Sequence, residues 1–385
     1  MTTRSYLDYN ATAPLRPEVR EAMVDALAAY GNPSSVHAEG RAARALVESA
    51  RAKVARLAGA KPEDVIFTSG GSEANTLALA AQTGEAWHSY ISAVEHPSVL
   101  AGGRFYREST SWIPVSGDGV IDLGVLEKEL AKHHLGGWRP FVSLMAANNE
   151  TGAIQPVAAA AEIVHQAGGL LHTDAVQVAG RLRIDFGALG ADMMTLSAHK
   201  IGGPKGVGAL MLREGVAVEP LIKGGGQERR RRAGTENVAG IVGFGVAAEL
   251  AEAEVEKAAG LAALRDELEA RALKVEPDTV VVSDRVARLP NTSCLAVPST
   301  RAETLVIGLD LAGVAVSAGS ACSSGKVDAS HVLSSMGLSP ELAQAAIRAS
   351  LGFGTVSADI ERFIGAWSEL IKRMRRRQEA ALTAA

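Results

Sequence analysis

Ala191-Asp192-Met193-Met194-Thr195-Leu196-Ser197-Ala198-His199-Lys200 runs on into Ile201-Gly202-Gly203-Pro204-Lys205-Gly206-Val207-Gly208. The first part reads as a short apolar strand, and it opens into a glycine-rich loop with a lysine at its mouth. A lysine so placed can reach an aldehyde held above the edge of a sheet. Twenty-six positions upstream, Asp174 ends a second apolar stretch, Gly169-Leu170-Leu171-His172-Thr173-Asp174. A lone lysine after a strand is usually a solvated loop residue. Here an amine and a carboxylate both sit at strand ends, each followed by turn residues. An amine that forms a Schiff base and a carboxylate that keeps a pyridine nitrogen protonated are what pyridoxal phosphate (PLP) requires of its protein.

The bulk numbers set the frame. The 385 residues are 47% hydrophobic and include 40 glycines, enough for a sizeable core and two domains. Aromatics make up only 4%, so Ala, Val, Leu and Ile build the core. A net charge of -4 argues against a nucleic-acid surface as the main business of the chain. Two cysteines, Cys294 and Cys322, make no disulfide framework and no zinc-like spacing. The first residues, Met1 to Asp8, lack the apolar core of a signal peptide, and no long apolar run suggests a membrane span. A soluble, reducing, cytoplasmic setting is the expectation.

Strand-like and helix-like stretches alternate, which predicts α/β architecture. Strands are expected at 65–69, 90–94, 141–145 and 208–212, and helices at 35–58, 73–82 and 156–167. Crossover helices of this kind imply a mostly parallel sheet. From about residue 238 the chain turns alanine- and glutamate-rich and reads as a long helical connector to residue 273. Beyond it come shorter strands at 279–282, 292–297 and 314–316. This predicts a large domain over 16–255 and a small one from 1–15 and 256–385. The basic run Lys372 to Arg377 is read as the end of the last helix, where cations suit the dipole.

The candidate cofactor residues gather at strand ends. Strand 65–69 runs into Gly70-Gly71-Ser72 and a helix, a ready anion cup of backbone N–H groups plus the Ser72 hydroxyl. Ser197 and His199 flank the lysine and can add phosphate contacts. Asn149, in Asn148-Asn149-Glu150-Thr151-Gly152, and Gln177 are candidates for the phenolic oxygen. His96 follows strand 90–94 and could stack on a pyridine face. All of these fall on the carboxyl rim of an open α/β sheet, where ligands bind.

With these residues in place, the chain resembles the class V aminotransferase-like PLP enzymes, through Ser197-Ala198-His199-Lys200 and its glycines. Further blocks resemble the cysteine desulfurases of the nitrogenase-maturation and general iron–sulfur branch. They are Leu7-Asp8-Tyr9-Asn10-Ala11-Thr12-Ala13-Pro14, Gly31-Asn32-Pro33-Ser34-Ser35-Val36-His37, Phe67-Thr68-Ser69-Gly70 and Asn148 to Gly152. Gly224-Gly225-Gly226-Gln227-Glu228 and Ser317-Ala318-Gly319-Ser320-Ala321-Cys322 complete the set. The resemblance implies the fold of the aspartate aminotransferase-like PLP transferases, fold type I: a large, mostly parallel sheet domain plus a smaller α+β domain. Lys223, Val176 and the basic Arg230 to Arg232 depart from the family pattern without removing a catalytic group.

The resemblance also implies the chemistry. Cys322, among small and polar neighbours, is the nucleophilic thiol that takes sulfur from L-cysteine as a persulfide, leaving alanine. Cys294, among apolar neighbours, reads as core. Lys200 moves the α-proton and His96 assists as acid or base. Arg348 clamps the substrate carboxylate, helped by Asn32. Thr235 matches a residue that reaches the phosphate of a neighbouring subunit, which implies a homodimer. The partners implied are L-cysteine and a sulfur-acceptor protein such as an iron–sulfur scaffold, with no membrane and no direct nucleic-acid binding. Cys322 is also the candidate metal ligand, as a transient iron–sulfur contact through its persulfide. Rival readings are a selenocysteine lyase, another class V enzyme, or an inactive scaffold of the same fold.

Overall fold

The computed structural model describes residues 4–80, 87–134, 137–318 and 329–384. Its main sheet has seven strands, in the order Val65–Thr68, Gly208–Leu212, Met193–Ser197, Leu170–Asp174, Arg139–Ser143, Trp87–Ser92 and Thr110–Ile113. Only Gly208–Leu212 runs antiparallel to its neighbours; the other pairings are parallel. All five residues of Met193–Ser197 and of Gly208–Leu212 are buried. That is why both read as unbroken apolar runs rather than alternating ones: each sheet face is covered.

The covering helices pack closely because glycine allows it. In Val238–Glu254, a Cβ on Gly245 would meet Ala50 Cα at 2.7 Å, and one on Gly243 would meet Met23 Cγ at 2.7 Å. The helices Pro17–Leu27 and Ala38–Ala58 lie at those two contacts. The helical cost of glycine, about 1 kcal/mol each, is offset by this backbone approach. The expected single connector over 238–273 is two helices instead. A short 3-10 turn, Val255–Lys257, separates Val238–Glu254 from Ala258–Val275.

A second, four-stranded antiparallel sheet follows the order Ser317–Ala318, Ala346–Ser350, Thr292–Ala296, Val280–Val281. The N-terminal strand Ser5–Tyr6 pairs in parallel with Val314–Ala315, and Leu7 joins the core that also holds Leu295, Ile347 and Trp367. Cys294 lies on this sheet, fully buried, and burial pushes its thiol up to about 12. It is a core residue, as its neighbours predicted.

The basic run corrects one expectation. The last helix is Ser357–Ala384, so Lys372 to Arg377 falls before its end rather than at it. What anchors the run is a side chain: Arg375 donates to Glu276, Nε to Oε2 at 2.9 Å.

Candidate active site

The carboxyl rim of the main sheet bounds a cavity of about 330 Å³. Lys200, Asp174, His96, Asn149, Gln177 and Arg348 line it, with Gly71, Ser72, Ser197 and His199 at one end. They come from several strand ends of the main sheet, and Arg348 comes from the second sheet, so the fold gathers residues scattered along the chain.

The phosphate-like end is built by a tight turn. Val65–Thr68 leads through Gly70 into the helix Gly71–Ala78, whose first N–H groups have no partner within the helix. Gly208 lies against the turn: a Cβ there would meet the Gly70 carbonyl carbon at 2.5 Å. No other residue type fits at 208. Ser197 Oγ is buried and has no partner among the described residues, which leaves it open to a ligand.

At the other end, Asp174 is oriented by two N–H donors. Asn75 Nδ2 donates to one carboxylate oxygen at 2.8 Å and the Val176 amide to the other at 3.0 Å. Below it, His172 is fully buried between Ser143 Oγ at 2.8 Å and Thr195 Oγ1 at 3.0 Å. Burial pushes that imidazole down to about 4, so it stays neutral. Beside Asp174, the wholly buried Glu95 accepts the Met145 amide on one oxygen and has no partner for the other among the described residues. Burial, and then the Asp174 charge, hold its carboxyl well above the usual range. Glu95 is thereby biased towards its neutral, protonated form.

Lys200 follows Met193–Ser197 on the 3-10 turn Ala198–Lys200. Its Nζ donates to the Asn10 and Ala11 carbonyls, the latter at 3.0 Å. Burial, then the Arg348 and Arg181 charges, push the amine down to about 7. A large share of it is a free nucleophile at neutral pH. His96 caps the short helix Pro97–Leu100, and its Nδ1 accepts the Ser98 amide at 3.2 Å. That bond places any single ring proton on Nε2. Burial leads in lowering its pKa. His199 Nδ1 lies 3.2 Å from Thr12 Oγ1, and burial with two lysine charges pushes that ring down to about 4.

Arg348 sits mid-strand in Ala346–Ser350 and is nearly inaccessible. Its Nη1 donates to the Asn149 carbonyl at 2.9 Å, its Nη2 to Asp8 Oδ1 at 2.8 Å, and its Nε has no partner among the described residues. The rim turn that carries Asn149 is pinned by Asn148, whose Oδ1 accepts the Glu150 and Thr151 amides at 2.9 and 3.0 Å. Gln177 is already engaged, donating to the Asn10 carbonyl at 3.1 Å and accepting from Arg181 at 3.0 Å.

The structure thus gathers Lys200, Asp174, His96, Gly71, Ser72, Asn149, Gln177, Ser197, His199 and Arg348 at one cavity. Asn32 and Thr235 are exposed and do not line it. Cys322 lies outside the described residues, but Ser317 and Ala318, at the near end of its segment, line the cavity. Asn75 and Glu95 went unread in the sequence. An asparagine inside a helix and a glutamate before a histidine carry no local signal of a buried role.

These residues fit PLP. A helix N-terminus and two hydroxyls face the phosphate end, a fixed carboxylate suits the pyridine nitrogen, and the amine of Lys200 is available to the aldehyde. Lys200, Asp174, His96, Ser72 and Ser197 would hold the group, which supplies an electron sink for charge developing on the substrate when bound.

Comparison with known proteins agrees with this geometry. The model of the class-V aminotransferases matches residues 5–363. The chain is 41% identical to the cysteine desulfurase IscS of Dictyoglomus turgidum, over 97% of this chain and 96% of that one. It is 44% identical to a cysteine desulfurase of Cereibacter sphaeroides, over 97% of each. Among solved structures, the NifS-like protein of Rickettsia africae superposes with a TM-score of 0.88 at 38% identity, over 96% of this chain and 99% of that one.

Proposed function

Since the chain belongs to the class-V aminotransferase family, and within it to the cysteine desulfurases, we propose that it removes sulfur from L-cysteine with the aid of PLP. The thiolate of Cys322 takes the substrate sulfur and becomes a persulfide, and L-alanine is released. One observation carries this reading: Lys200, Asp174, His96 and Arg348 converge on a single cavity that the chain leaves, at Ala318, four residues before Cys322. Extended chain covers at most about 3.5 Å per residue, so Cys322 is tethered within about 14 Å of a cavity-lining residue.

The protein's own groups then have distinct tasks. Arg348 presents its unpartnered Nε to the substrate carboxylate. Lys200, with its amine near neutrality, takes and returns the α-proton. The Nε2 proton of His96 is placed to assist the same transfer. Gln177 and Asn149, which line the same cavity, would serve the phenolic oxygen, and His199 supports the Lys200 turn.

The finer parts of the reading extend this. The chain acts as a homodimer in the cytoplasm, Thr235 reaches the phosphate of the neighbouring subunit, and Asn32 helps hold substrate. The persulfide passes to an acceptor protein in iron–sulfur assembly or a related transfer, and Cys322 contacts the forming cluster in passing. Residues 16–255 form the cofactor domain; 1–15 and 256–385 form the small domain that bears Cys322. Support for the division comes from the two cores, with Ala251 in the first and Leu268 in the second. The test is alanine and sulfide release from L-cysteine with a reductant. Wild type should yield both, and Cys322→Ala should lose sulfide release while keeping its PLP. Equal sulfide from the two proteins would refute the persulfide route.

A further inference from the structure

A second cavity, of about 280 Å³, lies behind Lys200, at the junction of the two cores. Tyr9, Arg181, Lys200, Leu261, Leu264 and Phe353 are among its walls. One side is closed by Arg16, which donates to Glu254 with Nη1 at 2.7 Å and lies over the Phe353 ring at 3.8 Å. The exposed Lys257 stands in the lining as well. None of the chemistry assigned to the first cavity uses this space.

The unusual feature is Arg181. It is 6% exposed, yet no carboxylate pairs with it among the described residues. Its Nη1 donates only to the Gln177 carbonyl at 2.6 Å and the Gln177 side-chain oxygen at 3.0 Å, and its Nη2 makes a long 3.5 Å contact with the Tyr9 carbonyl. Burial pushes it down to about 9, so it remains a cation at neutral pH. A buried cation with dipoles but no counter-charge is costly. An anion that enters such a site meets a held cation whose Nη2 makes only the long contact to Tyr9. The leucines and Phe353 opposite would cover an apolar body.

We propose that this cavity is a second binding site, for a small carboxylate with an apolar body, held by Arg181 at its head and by Leu261, Leu264 and Phe353 along its tail. A bare inorganic anion would leave the apolar wall uncovered, and a neutral apolar ligand would leave Arg181 uncompensated. The volume, at the low end of the roughly 300–1,000 Å³ usual for ligand pockets, limits the occupant to a small molecule. Lys200 borders both cavities, so an anion on Arg181 lies within electrostatic reach of the amine.

Isothermal titration calorimetry of hexanoate into the PLP-loaded protein tests this directly. Saturable binding is expected, with acetate and hexanol each weaker by about tenfold or more, since each lacks one half of the recognition. Gly260→Leu fills the cavity without touching Arg181. Gly260 lies in Ala258–Val275, an added Cβ there meets nothing within 4 Å, and leucine favours the helix. Both Gly260→Leu and Arg181→Met should weaken hexanoate by about tenfold or more. If Arg181→Met does not fold, Gly260→Leu decides alone. The proposal is overturned by an absence of hexanoate binding, by equal binding of hexanol, or by hexanoate affinity that Gly260→Leu leaves unchanged. Affinity lost in Arg348→Lys but kept in Gly260→Leu would put the ligand in the first cavity and overturn it equally. None of these readouts depends on desulfurase turnover.

Discussion

Replacing Arg51 by methionine should destabilise the protein by about 3–5 kcal/mol, the usual loss when a buried ion pair keeps one member. Arg51 reaches from Ala38–Ala58 to Glu228 with two parallel bonds, Nη1 to Oε2 and Nη2 to Oε1, each 2.8 Å. The two side chains are 7% and 3% exposed. At an effective dielectric constant of about 20, charges at that separation attract by about 6 kcal/mol before desolvation is set against it. In the variant, Glu228 keeps the Phe67 amide at 2.9 Å as its remaining donor. The pair also holds an uncommon backbone: Glu228, Arg229 and Arg230 have φ of 43°, 55° and 64°. Side chains in that left-handed region cost roughly 1–2 kcal/mol per residue. Urea unfolding of wild type, Arg51→Met, Glu228→Gln and the double variant gives a thermodynamic cycle. The double variant should recover about 1–3 kcal/mol relative to Arg51→Met, because the stranded carboxylate is gone. A double variant as unstable as Arg51→Met would show that lost packing, not an uncompensated charge, sets the cost.

Other outcomes follow from the site. Lys200→Ala should lose the visible absorbance of lysine-bound PLP; a wild-type-like band would remove Lys200 from its role. Asn75→Ala strips one donor from Asp174 and should weaken PLP retention by about tenfold, as for a bond to a charged group, measured by dialysis. Arg348→Lys keeps the charge but loses the planar guanidinium that bonds Asn149 and Asp8 while offering Nε, so KM for L-cysteine should rise about tenfold with a smaller change in kcat; a change in kcat alone would count against a carboxylate clamp. For cofactor-free protein, the rate of PLP capture should climb with pH and level off above about 7, where the Lys200 amine is neutral. Its folded value lies below the ordinary 10.5, so the unfolded chain binds the extra proton between the two. Stability of the cofactor-free form should therefore gain from Lys200 as pH rises from about 7 towards 10.5, and a flat capture profile across pH 7 would contradict the depressed amine.

Much of the fold was legible because its signals are local. Gly208–Leu212 was read to the residue, and Leu170–Asp174 and Met193–Ser197 to within a residue or two, since strands covered on both faces are short apolar runs. The edge strand Thr110–Ile113 went unread: partly exposed and bounded by polar residues, it is a strand only because Ser89 to Ser92 pair with it. The connector beyond residue 238 read as one helix because nothing in its alanine-rich sequence marks the turn at Val255–Lys257.

By itself the sequence determined which chemistry the chain can support. Lys200 and Asp174 stand at the ends of apolar runs, and glycines flank the turns, so the rim of the sheet is written locally. Only the tertiary structure decided the electrostatics. Ala346–Ser350 holds a buried arginine, which makes sense once Asp8, 340 residues away, supplies its counter-charge. Glu95 and Asn75 acquire meaning only beside Asp174. The charge of Arg181 stands without an ion-pair partner among the described residues because the fold encloses it against the Gln177 and Tyr9 oxygens instead. Apolar periodicity is a property of neighbours in the chain, whereas the compensation of a buried charge is set by neighbours in space.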